Sequence, residues 1–294
     1  MIVITTPTGQ VGQQVLEILS RGKQSLRVIV RDPAKLPARL IERVEVVQGS
    51  HEDPGIVGTA FEGADTVFWL LPPNFGAEDV DAYYLEFARP ACQAIKSCGV
   101  KRVVGVSTLG RGWDKPAGPL TSAMEMDALI ESTGVSYRSL AMPFFMENLL
   151  QQVEAIRNQG MFFLANIVDR PLATVATRDI AAAAAQFLLD DSWSGQAEVP
   201  VVSEELTPEG MAVTMSEVLG SQIRCQQTDM DSYKATLLGY GASESFAQGL
   251  VDMAIAQNEG IYDARPGAPA AIERTSFRQW CEEVLKPVHD AAAG

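Results

Sequence analysis

Histidine is almost missing from this chain of 294 residues: there are two, His51 and His289. A histidine-centred triad or a multi-histidine metal site has little to draw on, and no metal is expected. Both histidines read as solvated residues, His51 in an early loop and His289 in a tail. Cysteine is sparse too: the four residues Cys92, Cys98, Cys225 and Cys281 contain no C-x-x-C pair. That is no disulfide framework, and buried thiols in a reducing compartment are expected. Long apolar runs are missing: the longest, Ile180 to Leu189, is broken by Gln186 and too short to span a bilayer. The opening MIVITTPTG has no basic stretch before its apolar run. A cytoplasmic protein without membrane contact is the expectation. Basic residues are in deficit, 23 Lys and Arg against 37 Asp and Glu, for a formal charge of −14. Such a charge repels phosphate backbones, so direct nucleic-acid binding is not expected.

The chain does have short apolar runs separated by helical spacing. Ile2 to Thr5, Leu26 to Val30, Val44 to Val47, Thr66 to Leu71, Arg102 to Ser107 and Tyr137 to Met142 read as buried parallel strands. Helical spacing runs through Gly12 to Arg21, Ile56 to Glu62, Ala77 to Ser97, Ser122 to Ser132 and Phe144 to Asn158. This alternation predicts an α/β fold: a Rossmann-like doubly wound parallel sheet built from right-handed crossovers, with a smaller, mostly helical C-terminal lobe. Ligands then bind at the carboxyl ends of the strands. Further on, a strand at Ala173 to Ala176 and a helix at Asp179 to Leu189 are expected to return to the core, with another strand near Glu198 to Val202. Thr207-Pro208-Glu209 supplies an N-cap, a first-turn proline and an early acid for a helix. The division expected is a binding domain over residues 1–205, with 145–172 contributing to the cleft, and a substrate or partner lobe over 206–294. Residues 264–271 form a Pro/Gly/Ala loop between helical stretches.

After the first strand the chain reads Thr5-Thr6-Pro7-Thr8-Gly9-Gln10-Val11-Gly12-Gln13-Gln14-Val15. In a strand-turn-helix, Gly9 lets the backbone approach a pyrophosphate, Gly12 lets the helix pack on the strand, and the helix N-terminus offers N–H groups to the anion. The alternative is a tight turn with no ligand. The second strand ends Val30-Arg31-Asp32-Pro33-Ala34-Lys35. An arginine here accommodates a ribose 2′-phosphate, which favours NADP(H), with Lys35 as a second charge. Otherwise Arg31 is a surface residue paired with Asp32 or Asp53, and Lys35 is simply solvated.

These segments resemble the NmrA-like branch of the atypical short-chain dehydrogenase/reductase superfamily, which opens T-G-A-T-G-x-x-G and ends its second strand V-R-D-P-x-K. Phe145-Met146-Glu147-Asn148 resembles the family's F-M-E-N, Val175 to Ala181 its v-a-x-x-D-I-A, and Leu206 to Gly220 its L-T-P-x-E-x-A helix. The resemblance implies cofactor contacts from Thr6, Thr8, Gly9, Gln10, Val11, Gly12, Arg31, Lys35, Leu71, Pro72, Ser107 and Pro143. It spans NADPH-dependent quinone and azo reductases, isoflavone-type reductases and regulators that bind the dinucleotide without turnover. Two departures stand out. Thr6 occupies the first turn glycine's place, and Pro119 and Ala123 stand where the superfamily's Tyr-x-x-x-Lys proton donor should fall, so ketone chemistry is not expected.

Ser107, Glu125 and Asp127 remain as catalytic candidates, against strand-end capping for the serine and solvated positions for the acids. Phe75, Trp113, Phe144, Phe145 and Met146 are candidates to roof a flat aromatic substrate such as a quinone, or else belong to the core. The leading expectation is an NADPH-dependent oxidoreductase acting on a quinone-like small molecule. The rivals are an NADP(H)-sensing regulator with a protein partner, or a homodimer, and a tailoring enzyme for aromatic metabolites.

Overall fold

The computed structural model describes residues 1–265 and 267–291; residue 266, within the 264–271 loop, and residues 292–294 lie outside the described residues. In chain order the elements are β1 (Ile2–Ile4), α1 (Gln10–Leu19), β2 (Leu26–Val30), α2 (Ala38–Ile41), β3 (Glu45–Gln48), α3 (Pro54–Phe61), β4 (Thr66–Trp69), α4 (Val80–Cys98), β5 (Arg102–Thr108), α5 (Pro119–Glu131) and β6 (Ser136–Met142). They continue as β7 (Phe144–Phe145), α6 (Val153–Gln159), β8 (Met161–Leu164), β9 (Leu172–Val175), α7 (Thr177–Leu189), β10 (Gln196–Pro200), β11 (Glu204–Leu206), α8 (Pro208–Leu219) and β12 (Arg224–Gln227). The helices α9 (Met230–Gly239), α10 (Glu244–Glu259), α11 (Phe277–Trp280) and α12 (Lys286–Ala291) close the described chain.

Seven strands pair in parallel in the order β10-β6-β5-β4-β1-β2-β3. The chain runs outward from β1 through β2 to β3, then returns to β4 on the other side of β1. A crevice therefore opens between the carboxyl ends of β1 and β4, where such sheets bind ligands. Thr5 stitches this switch point: its Oγ1 donates to the Phe68 carbonyl at 3.0 Å and accepts from the Leu70 N–H at 3.0 Å. One face of the sheet buries Val15, Leu16 and Leu19 of α1 with the Ala-rich α7. The other buries Phe61 of α3, Phe87 and Ile95 of α4 and Met126 and Ile130 of α5. A third cluster joins Leu109, Met146 and Phe162 to Met211, Met215, Phe277 and Trp280. Helix starts follow local chemistry: Asp53 caps α3 ahead of Pro54, and the Thr207 hydroxyl accepts from Gly210 N–H ahead of Pro208.

The single helix expected from Phe144 to Asn158 is not formed. Phe144 and Phe145 are extended and pair with Thr174 and Val175 of β9, a 3-10 stretch covers Met146–Gln152, and only then does α6 begin. Pro143 keeps its predecessor extended, and two aromatics on a pleated surface gain more from strand pairing than from helical spacing. The strand expected at Ala173 to Ala176 appears as β9, in a separate sheet of order β11-β9-β7. The parallel pair β8–β12, unforeseen in the sequence, ties residues 161–164 to the segment after α8.

Candidate functional site

Everything at the switch point turns on Thr6. It has φ +50°, a positive φ on a residue that is not glycine, so the chain adopts the left-handed turn with a β-branched side chain in it. Its Oγ1 is buried without a hydrogen-bond partner among the described residues, and its carbonyl accepts from Gly9 N–H at 3.0 Å. A side chain on Gly12 would collide with that carbonyl, so Gly12 is what lets α1 sit this close to the turn. Gly9 differs. A Cβ there would meet nothing nearer than the Thr6 oxygen at 3.5 Å, an ordinary contact, and its φ of −81° suits any residue. No neighbour among the described residues requires a glycine at position 9, whereas a ligand approaching the backbone would. Gly9 is the N-cap of α1 and contributes no side-chain cap, and the first turn carries no acid. Thr8 and Gln10 are exposed beside it, and Val11 is buried. An orphaned hydroxyl, a bare glycine and an uncapped helix start fit a pyrophosphate.

Arg31, exposed at the end of β2, is in no ion pair with a described residue. The two carboxylates that could have held it are occupied: Asp32 accepts from Ala34 N–H at 3.1 Å, and Asp53 from Gly55 and Ile56 N–H at 2.7 and 3.1 Å. Lys35 is exposed four residues on, at the end of a short 3-10 turn. His51 is not the solvated residue expected. It is buried edge-on against Trp69 and Phe87, its Nε2 bonds the Leu70 carbonyl at 3.1 Å, and burial, helped by the Arg31 charge, lowers its pKa to about 4. It is therefore neutral at physiological pH, so Nε2 donates to Leu70.

Further along the carboxyl edge, Ser107 is 8% exposed and its Oγ has no hydrogen-bond partner among the described residues. Leu71 and Pro143 are buried nearby in the fold's carboxyl-end loops, and the Pro72 carbonyl accepts from Tyr83 Oη at 2.7 Å. The two candidate acids separate cleanly: Glu125 faces solvent, while Asp127 is 1% exposed. Asp127 accepts from Tyr137 Oη and Ser139 Oγ, both at 2.6 Å, with Arg111 at 3.9 Å and Ser107 close by but out of hydrogen-bond geometry. Burial raises its pKa to about 6 against the pull of those hydroxyls. Gly105 makes room for the Tyr137 hydroxyl, since a side chain there would strike it. In the sequence Tyr137 and Ser139 have a place in a strand but no role at the site, and Arg111 has neither; the one available signal was a glycine inside an apolar strand.

The aromatic candidates do not form one roof. Trp113 and Phe144 pack on the third cluster, Phe145 on the α1–α7 face, and Met146 is fully buried within the third cluster. Phe75 is 54% exposed on the loop after β4, with its ring 5.0 Å from Phe246 of α10. The sequence reading also missed Glu147, a buried carboxylate that accepts from Thr177 N–H and Oγ1 at the start of α7 and from Trp280 Nε1 at 3.3 Å. Gln14 of α1 donates to the same Thr177 hydroxyl at 2.9 Å, so this carboxylate links the turn helix to α7 and α11.

The same organisation recurs in known proteins. The chain is 26% identical over 281 residues to the NAD(P)H azoreductase of Xenophilus azovorans, covering 94% of this chain and 95% of that protein. It is 26% identical over 266 residues to quinone oxidoreductase 2 of Escherichia coli, covering 90% of each. The crystal structure of the Escherichia coli NADPH-dependent quinone oxidoreductase complexed with NADPH superposes over 100% of both chains with a TM-score of 0.78 at 22% identity, a likeness of fold. The NmrA-like family pattern runs through residues 1–279, from the Thr6 turn to the Phe277 helix that closes on Glu147, and the chain belongs to the NmrA-like family.

Proposed function

We propose that this protein is an NADPH-dependent oxidoreductase that delivers hydride to a quinone-like or other conjugated aromatic acceptor. The observation that carries the reading is the turn at Thr6: a left-handed threonine with an orphaned hydroxyl, followed by a glycine at position 9 that no neighbour requires. Two full-length relatives are by name an NAD(P)H azoreductase and a quinone oxidoreductase, which supports the acceptor class.

In this reading the Thr6–Gly12 turn holds the pyrophosphate through backbone N–H groups, with Thr8 and Gln10 at its rim. Arg31 and Lys35 hold the 2′-phosphate. Leu71, Pro72, Ser107 and Pro143 flank the nicotinamide. The bound cofactor supplies the hydride, and the chain positions and desolvates the reacting partners. Pro119 and Ala123, both buried, offer no proton to an alkoxide. A ketone reductase depends on such an acid for about 10²- to 10⁴-fold of its rate, whereas a reduced quinone leaves as a delocalised phenolate and takes its proton from water. Phe144 and Trp113, which pack on one cluster, belong to the apolar wall that a flat acceptor would meet. Residues 206–294 act as the substrate lobe against the binding domain of residues 1–205, with 145–172 between them. The test is an acceptor panel: NADPH consumption with simple quinones and azo compounds, and almost none with aliphatic ketones. Rapid reduction of an unactivated ketone would overturn the mechanism and point to Asp127 as its acid.

A further inference from the structure

A cavity of about 180 Å³ lies at the carboxyl end of β10, lined by Pro200, Val202, Arg265, Gly267, Pro269 and Arg274. Two guanidinium groups share its wall in a chain whose formal charge is −14. They have one carboxylate between them: Arg265 pairs with Glu205, while Arg274 is exposed and in no ion pair with a described residue. Burial and the Arg274 charge both hold Arg265 below the usual guanidinium range. Glu205 matches one of these charges and leaves the other, so an anion entering the cavity meets a net positive wall. The loop is built to keep this arrangement. Gly267 has φ +93°, and any side chain there would strike the Glu198 carbonyl, so only glycine lets the loop lie flat on β10.

Register places the cavity relative to the reaction. Pro200 pairs with Ala141, and Ala141 with Ser107, so the three lie in one row across the carboxyl edge. Two strand spacings put Pro200 roughly 10 Å from Ser107. Val202 packs on the same cluster as Trp113 and Phe144, so an apolar wall continues between the two places. The cofactor's own phosphates are excluded as occupants: β10 stands four strands from β1 and five from β2, roughly 19 and 24 Å from the Thr6 turn and Arg31.

We infer that the cavity between Arg265 and Arg274 is a subsite for an anionic substituent, a sulfonate, carboxylate or phosphate, carried by the aromatic acceptor. The inference rests on the reductase reading for the identity of the acceptor, not for the presence of the subsite. It narrows the substrate class to conjugated aromatics with a negative group about two strand spacings from the reducible centre.

The test is a matched pair of probes, naphthalene-2-sulfonate and the neutral naphthalene-2-sulfonamide, titrated by calorimetry into the whole chain at low salt. The sulfonate should bind at least tenfold tighter, with saturating NADP⁺ leaving that preference in place. Arg274→Ala should cut the preference to about threefold or less, and Arg274→Lys, which keeps the charge, should retain most of it. The inference is overturned by equal binding of the two probes, by a preference that Arg274→Ala does not change, by displacement of the sulfonate by NADP⁺, or by free sulfate competing as well as the aromatic sulfonate. Because binding is read without turnover, a retained preference alongside an inactive quinone panel would sink the reductase reading alone.

Discussion

Single residues set the cofactor turn, and two of them make sharp predictions. Thr6 occupies left-handed backbone with its hydroxyl buried and unpartnered, two costs that glycine does not carry. The conformation costs a branched residue roughly 1–2 kcal/mol, and glycine returns about 0.5–1 kcal/mol of that in chain entropy. Thr6→Gly should therefore stabilise the protein by about 1 kcal/mol, roughly 2 °C in Tm. A lower Tm would mean that Thr6 makes compensating contacts. Arg31 is the residue proposed to choose the cofactor, its neighbouring carboxylates being committed to capping. A charged hydrogen bond contributes about 1.5–3 kcal/mol, so Arg31→Ala should weaken NADPH by roughly ten- to a hundredfold and leave NADH nearly as before. Equal losses for both in calorimetry would remove Arg31 from the 2′-phosphate site.

Among elements, α5 and β6 are joined by a polar cluster inside an apolar layer, and that cluster titrates. Asp127 has its carboxyl raised from 3.8 to about 6 in the fold, mainly by burial. The folded state thus holds a proton that the unfolded chain releases, so this group's contribution to stability is complete below about pH 4 and lost as pH rises to about 6. Replacing it by Asn removes that loss. The Tm of Asp127→Asn, relative to the parent, should rise between pH 4 and 6; a difference that stays constant would show that the carboxyl is not raised. At this scale the sequence was legible where periodicity and caps agreed. The six strands of the first half, the Asp179 to Leu189 helix and the Thr207 N-cap stand where spacing put them. It was illegible where partners far along the chain decide the outcome. Phe144 and Phe145 are helical by spacing but extended because β9 lies beside them, thirty residues downstream in register. Asp127 was legible as an acid on α5, but not as a buried one, because the hydroxyls that satisfy it come from β6 and the room for Tyr137 from Gly105 on β5. Glu147 stood in a recognisable motif, yet its partners Thr177 and Trp280 are 30 and 133 positions away.

For the whole molecule, the seven-stranded parallel sheet puts the loops after β1, β2, β4, β5, β6 and β10 along one carboxyl edge. Arg31, the Thr6 turn, the Ser107 hydroxyl and the arginine-lined cavity follow one another along it. In a chain of net charge −14, Arg31 and Arg274 stand on this edge in no ion pair with a described residue, at the places proposed for the 2′-phosphate and for an acceptor's anionic group. The apolar wall between them belongs to the cluster shared by residues 109–176 and 211–285, so the C-terminal helices pack beside this part of the edge without supplying the turn at Thr6. The central claim is hydride transfer from NADPH to a conjugated acceptor without a protein acid, and the most direct measurement is a single-turnover experiment with NADPH deuterated at the transferred position of C4 and a simple quinone. The account predicts rapid loss of NADPH absorbance with a primary isotope effect and a rate nearly flat in pH. Saturable NADPH binding with no oxidation by any quinone would contradict it.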